Sequence, residues 1–251
     1  AELDSPLRAQ AWLGLGRVNV QLNQVDEAIA AFKQAVEQKH ATASPEAAYR
    51  AGEAAYKAGK HNLAVSFYRT VITQYQSSPY FGQAATGVMW AQLAAEQYQE
   101  VIDSRREFTD TLIGRDATTA AYITAAAHQG LDQYLEAATL LASIRDAARN
   151  TVLDERVLWR LSRSLFKLDR FDDMVAIVAQ LRRDHPKSPH LHEAEYLRAT
   201  ALALMGKSSE SAARLTDIVT AGRSHPFYNK ALLQRAKVRE ADKKLEAAAA
   251  D

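Results

Sequence analysis

The chain of 251 residues contains no cysteine, which excludes disulfides, thiol catalysis and zinc sites built from thiolates. It also lacks any apolar run approaching 18 residues, so we expect no transmembrane segment. Glycine (10) and proline (6) are scarce while alanine is abundant, which favours long helices over strands or disorder. With 31 basic against 30 acidic residues, the net charge does not indicate nucleic acid or an anionic membrane as a partner.

What the sequence does contain is an internal repeat. Its best copy combines Trp12-x2-Leu15-Gly16 with Ala28-x3-Phe32, a spacing typical of a two-helix repeat. The small residue that opens the second helix then recurs in steps of 36, 37, 36, 37 and 38 residues, at Ala28, Ala64, Val101, Ala137, Met174 and Ala212. One such helix pair cannot bury both of its faces, so the pairs are expected to stack.

Serine–proline pairs occur at residues 5–6, 44–45, 78–79 and 188–189, and we interpret each as a helix N-cap followed by proline in the first turn. The last pair lies in HPKSPHLHEA, residues 185–194, whose three histidines raise the alternative of a metal site. On a helix, however, His190 and His192 point in different directions because they are two residues apart. We therefore predict a turn between repeats here, and we expect no metal, cofactor or catalytic group, since no known catalytic motif occurs in the chain.

Over nearly its whole length the chain resembles the tetratricopeptide-repeat (TPR) family. The resemblance implies an all-α, TPR-like α-solenoid of six antiparallel helix pairs and a C-terminal capping helix, wound as a right-handed superhelix. We expect a single domain, 1–251, with repeats at about 5–43, 44–77, 78–115, 116–150, 151–187 and 188–224 and the capping helix at 225–249.

In this family the first helix of each pair lines a concave groove that binds a partner. At the corresponding positions this chain has aromatic and basic side chains, the types that anchor binding surfaces: Tyr49, Tyr56, Trp90, Tyr122, Arg156, Trp159, Arg163, Phe166 and Lys167. The alternative is that these side chains pack between repeats.

The resemblance thus implies a non-catalytic scaffold or adaptor that binds a segment of another protein in the groove. The alternative function is a repeat module that associates with itself into a homo-oligomer. Residues 67–85 and 180–219 are in addition similar to bacterial envelope adaptors of the family, of the barrel-assembly lipoprotein and Tol–Pal coordinator type. That similarity implies a periplasmic or membrane-associated location, with the cytoplasm as the alternative.

Overall fold

The structure, a computed structural model, describes residues 5–242, and all regular elements within that range are α-helices. They are α1 (Ser5–Gln21), α2 (Val25–Glu37), α3 (Ala43–Lys57), α4 (His61–Gln74), α5 (Phe81–Ala94), α6 (Tyr98–Glu107), α7 (Gly114–Gly130), α8 (Tyr134–Ser143), α9 (Arg145–Ala148), α10 (Asp154–Lys167), α11 (Phe171–Asp184), α12 (Leu191–Leu204), α13 (Ser208–Thr220) and α14 (Tyr228–Ala241). The all-α, TPR-like fold predicted from the repeat is confirmed.

The helices belong to two compact units, Ala1–Leu131 with α1 to α7 and Asp132–Asp251 with α8 to α14. In the first unit α1 packs on α2, α3 on α4 and α5 on α6. In the second, α10 packs on α11, α12 on α13 and α14 on α13.

The predicted fourth pair has one helix in each unit, and the short α9 was not predicted. The single-domain organisation stays a prediction. Helix α14 occupies the predicted capping range, whose end beyond residue 242 lies outside the described residues.

The turn inside each helix pair is built the same way in every repeat. Two residues before each second helix, the backbone has a positive φ, at Asn23, Gly59, Glu96, Asp132, Asp169 and Gly206. These positions follow one another at 36, 37, 36, 37 and 37 residues. In the first such turn the N–H of Gln24 donates to the carbonyl of Asn19, 2.9 Å away, which closes the first helix with a left-handed cap. The repeat period is therefore visible in the backbone itself.

The residues that mark the second helices in the sequence are fully buried, except in the last repeat. Ala28, Ala64, Val101, Ala137 and Met174 are all fully buried. In the sixth repeat, however, the buried residue is Ser211, while Ala212 is partly exposed. The predicted marker of the sixth repeat was therefore one residue too far along the chain, because a serine occupies the buried position. The Ser211 hydroxyl satisfies its hydrogen-bonding need by donating to the carbonyl of Ala199, 2.8 Å away.

Three of the four serine–proline pairs are not the N-caps that we predicted. Ser78 and Ser188 lie three residues before α5 and α12, and each hydroxyl accepts the N–H two residues further on, at 3.2 Å. Ser44 already lies inside α3, where its hydroxyl donates to the carbonyl of Ala35 at 2.8 Å. The pairs at 78–79 and 188–189 therefore organise the turn that precedes a helix. Ser5 begins α1, but its side chain lies outside the described residues.

Candidate functional site

Most of the predicted groove residues gather on one helix of the second unit. Arg156, Trp159, Arg163, Phe166 and Lys167 all belong to α10. The remaining four, Tyr49, Tyr56, Trp90 and Tyr122, lie on α3, α5 and α7 of the first unit. The candidate residues therefore form two groups, one in each unit.

Along α10, four cations form a line that we call the basic stripe: Arg156, Arg160, Arg163 and Lys167. They follow one another at i, i+4, i+7 and i+11, which places them on one helix face. Arg156 and Lys167 are exposed, and the Arg163 side chain is 43% exposed. Arg160 was missed from the sequence, although its spacing from Arg156 and Arg163 would have revealed it.

Trp159 lies beside the basic stripe and is held on several sides. The guanidinium carbons of Arg160 and Arg163 each lie 5.2 Å from its ring centroid, within the range of a cation–π contact. Its indole N–H donates to the Glu193 carboxylate at 2.9 Å, and the same carboxylate pairs with Arg163 at 3.4 Å. The His190 ring stacks on Trp159 at 4.0 Å between centroids. Trp159 is consequently half-buried, with a fixed orientation.

The stacking of His190 on Trp159 is one case of a recurring contact. An aromatic ring on the first helix of one repeat stacks on a ring from the next repeat. The second ring belongs to the residue directly after the proline in the turn that leads to the next first helix. The three pairs are Tyr49 on Tyr80 at 5.3 Å, Trp159 on His190 at 4.0 Å, and Tyr196 on Phe227 at 5.2 Å between centroids. Partners are 31 residues apart in each case. The alternative interpretation, that these aromatic side chains pack between repeats, therefore applies to the stacked faces of the Tyr49 and Trp159 rings.

The histidines of the 185–194 stretch face different partners, as their spacing predicted. His190 stacks on Trp159, whereas the ring of His192 lies 4.4 Å from that of His225. Burial lowers the pKa of His190 and outweighs the opposing charge of Glu155, which favours the neutral imidazole at neutral pH. Within residues 5–242, no group of three or more His, Asp or Glu side chains could hold a metal ion.

In the first unit, α3 carries alternating charges at the same repeat positions as the basic stripe. Glu46, Arg50, Glu53 and Lys57 precede the four stripe residues by 110 positions, three repeat lengths. Arg50 pairs with Glu46 at 3.5 Å and with Glu53 at 3.0 Å. The α3 charges thus largely satisfy one another within the helix, whereas the four corresponding positions of α10 all carry the same sign and Arg163 pairs with Glu193 of another helix.

Glu46 also pairs with a second arginine, Arg17, at 2.5 Å. Burial alone would raise the pKa of the Glu46 carboxyl, but the hydrogen bond and the charge of Arg17 outweigh it and keep the pKa below its usual value. Burial, together with the neighbouring Glu53, raises the pKa of Tyr49 to about 12, so its phenol stays protonated. This part of the surface is a closed network of charges and rings.

The other predicted aromatics differ in accessibility. Tyr56 is half-buried beside His61, and Phe166 is half-buried beside Phe171. Trp90 is half-buried against Tyr122, with 5.9 Å between the rings. Tyr122 itself is only 3% exposed, which corrects the expectation that it lies on an accessible surface. It is buried because it lies in the middle of the alanine-rich α7, where every residue from Ala120 to Ala127 is buried.

Comparison with known proteins agrees with the repeat architecture. Family models described as tetratricopeptide repeats match residues 1–44, 20–79 and 156–188. None of the curated proteins matches the sequence. In the described residues, no helix combines the length and hydrophobicity needed to cross a membrane.

Solved structures with the same fold cover almost the whole chain. A tetratricopeptide repeat protein from Parabacteroides merdae is 16% identical, with a TM-score of 0.66 over 97% of this chain and 90% of that one. Pseudomonas aeruginosa pilF is 11% identical, with a TM-score of 0.63 over 91% and 98% of the two chains. A Rap protein complexed with Competence and Sporulation Factor is 12% identical, with a TM-score of 0.53 over 98% and 78%. At these identities the likeness concerns the fold alone.

Proposed function

We propose that the chain, parts of which match tetratricopeptide-repeat family models, is a non-catalytic scaffold that binds an acidic segment of another protein along α10. The observation that carries the proposal is the basic stripe. The four repeat positions that alternate between acidic and basic residues on α3 are all occupied by basic residues on α10. Arg156 and Lys167, at the two ends of the stripe, are exposed to solvent, so a partner that supplies the opposite charge can reach both of them.

The aromatic side chains beside the basic stripe provide the apolar part of the same surface. Trp159 and Phe166 are half-buried, so each has a rigid position and still exposes part of its ring. Rigid aromatic anchors contribute most of the affinity of a typical interface, whereas charges at its rim mainly set the association rate and the salt dependence. We therefore expect a partner segment in which acidic residues alternate with large apolar ones.

A peptide-display selection against the immobilised full chain tests this proposal. We expect the selected peptides to be enriched in Asp and Glu next to an apolar residue, and their binding to weaken with rising salt. Lys167→Glu should weaken binding about tenfold, a change of about 1.4 kcal/mol. Lys57→Glu is the matched control, since it changes an exposed lysine at the same repeat position of α3 and should leave affinity unchanged. Peptides that bind both variants as they bind the parent chain would contradict the assignment to α10.

We further propose that the protein acts in the bacterial envelope, in the periplasm or at a membrane. The support is the similarity of residues 67–85 and 180–219 to envelope adaptors of the family. Fractionation of cells that express the complete gene tests this location, and recovery of the protein only with cytoplasmic markers would refute it.

A further inference from the structure

Helix α1 has two apolar faces, and only one of them is covered in the structure. The inner face contributes Ala9 and Leu13 to a buried cluster with Phe32. The opposite face, continued by Leu22 directly after the helix, carries a row that we call the outer stripe: Leu7, Ala11, Gly14, Leu15, Val18 and Leu22. Its four larger side chains are between 45% and 62% exposed. An apolar helix face normally packs against a neighbour, so the outer stripe has the composition of a covered surface.

The outer stripe is large enough to be a functional apolar patch. Four aliphatic side chains that are about half exposed leave roughly 400 Å² of apolar surface on one helix face, which is within the size range of functional patches. At its centre is Gly14, and a Cβ added there would meet no atom within 4 Å. The surface is therefore open at its middle, where a second helix could approach most closely.

We propose that the outer stripe is the docking surface for a second copy of this chain, with the two α1 helices packed antiparallel about a two-fold axis beside Gly14 and Leu15. The residue pattern is self-complementary about that axis. Leu7 would lie opposite Leu22 of the second copy, and Ala11 opposite Val18. An interface of this type requires the same patch on both subunits, and the outer stripe satisfies that requirement.

Area and charge agree with a dimer. Two outer stripes with the polar side chains along their edges would bury about 1,200 Å², the lower limit for a specific interface, so the affinity should be in the micromolar range. The outer stripe itself contains no charged residue. The two copies of Arg8 would be 13 residues out of register, about 20 Å apart along the helices. Arg17, at the edge, is already paired with Glu46.

Sedimentation equilibrium of the full chain, from low to high micromolar concentration, tests the proposal. We expect a monomer–dimer equilibrium whose dissociation constant rises at least tenfold in Val18→Glu, because the substitution would bury a carboxylate on each side of the axis. Ile113→Glu is the control, since Ile113 is 82% exposed and lies outside the outer stripe. A parent chain that stays monomeric throughout, or a dimer that Val18→Glu leaves intact, would overturn the proposal.

The absence of cysteine permits a second test, which reports on the orientation of the helices. Gly14→Cys places a thiol beside the proposed axis, so mild oxidation should link two copies. Leu7→Cys should remain unlinked, because the two thiols would be 15 residues out of register, about 22 Å along the helices. Efficient linkage of Leu7→Cys with none of Gly14→Cys would refute the antiparallel arrangement. Neither test depends on peptide binding at α10, so each proposal can fail alone.

Discussion

Two glycines in α1 should respond in opposite ways to the same substitution. Gly14 lies on the open side of the helix, whereas Gly16 faces the fully buried Phe32. Alanine favours a helix interior by about 1 kcal/mol relative to glycine, so Gly14→Ala should stabilise the protein by roughly 0.5–1 kcal/mol. A Cβ at Gly16 would lie within 2.9 Å of three ring carbons of Phe32. The resulting overpacking costs about 1–3 kcal/mol, so Gly16→Ala should destabilise despite the same gain in helix propensity.

Urea unfolding of both variants, followed by far-ultraviolet circular dichroism, measures the difference. The protein concentration should be kept below the range in which α1 could mediate dimers, since Gly14 lies in the outer stripe. We expect the urea midpoint to rise for Gly14→Ala and to fall for Gly16→Ala, with an unchanged slope. The double variant Gly16→Ala/Phe32→Leu should lose less stability than the sum of its two single changes, because the smaller side chain makes room for the new Cβ. If Gly16→Ala stabilised as much as Gly14→Ala, the close packing of helix against ring would be refuted.

Three further outcomes follow from particular residues. Glu96→Gly should raise the free energy of unfolding by about 1 kcal/mol, since Glu96 has φ +58°, whereas Glu100→Gly inside α6 should lower it by a similar amount in the same urea assay. The pKa of Glu46 is lowered in the folded protein, so its stabilising contribution is present above pH 4.5 and is lost as the pH falls through the folded value. Arg17→Gln should raise the pKa of Glu46, as measured by NMR titration. The free energy of unfolding should then fall less steeply as the pH is lowered. Trp159→Ala should cost about 2–3 kcal/mol through lost stacking and burial, and an unchanged melting temperature would contradict the contacts described for Trp159.

The repeat period could be read from the sequence because it arises from local chemistry. Each second helix has a buried residue at the same position, small in four of the six repeats, and the left-handed residue of the preceding turn lies five positions before it. Both signals depend on near neighbours in the chain. Local signals of this kind also have limits. Ser188 and Pro189 have the composition of a helix start, yet the helix begins two residues after the proline, beyond a turn in which the Leu191 N–H donates to the Ser188 carbonyl and His190 stacks on Trp159.

The sequence by itself therefore determined the class of fold, the repeat length and the helices that carry the aromatic and basic residues. Only the tertiary structure decided which of those side chains a partner could reach. Tyr122 and Trp159 occupy the same repeat position, but one is buried within α7 and its neighbours while the other is stacked at a surface. The exposure of a residue on a helix depends on the size of the side chains that the adjacent repeats place against it. That information lies some 30 residues away in the chain and has no local signature in the sequence.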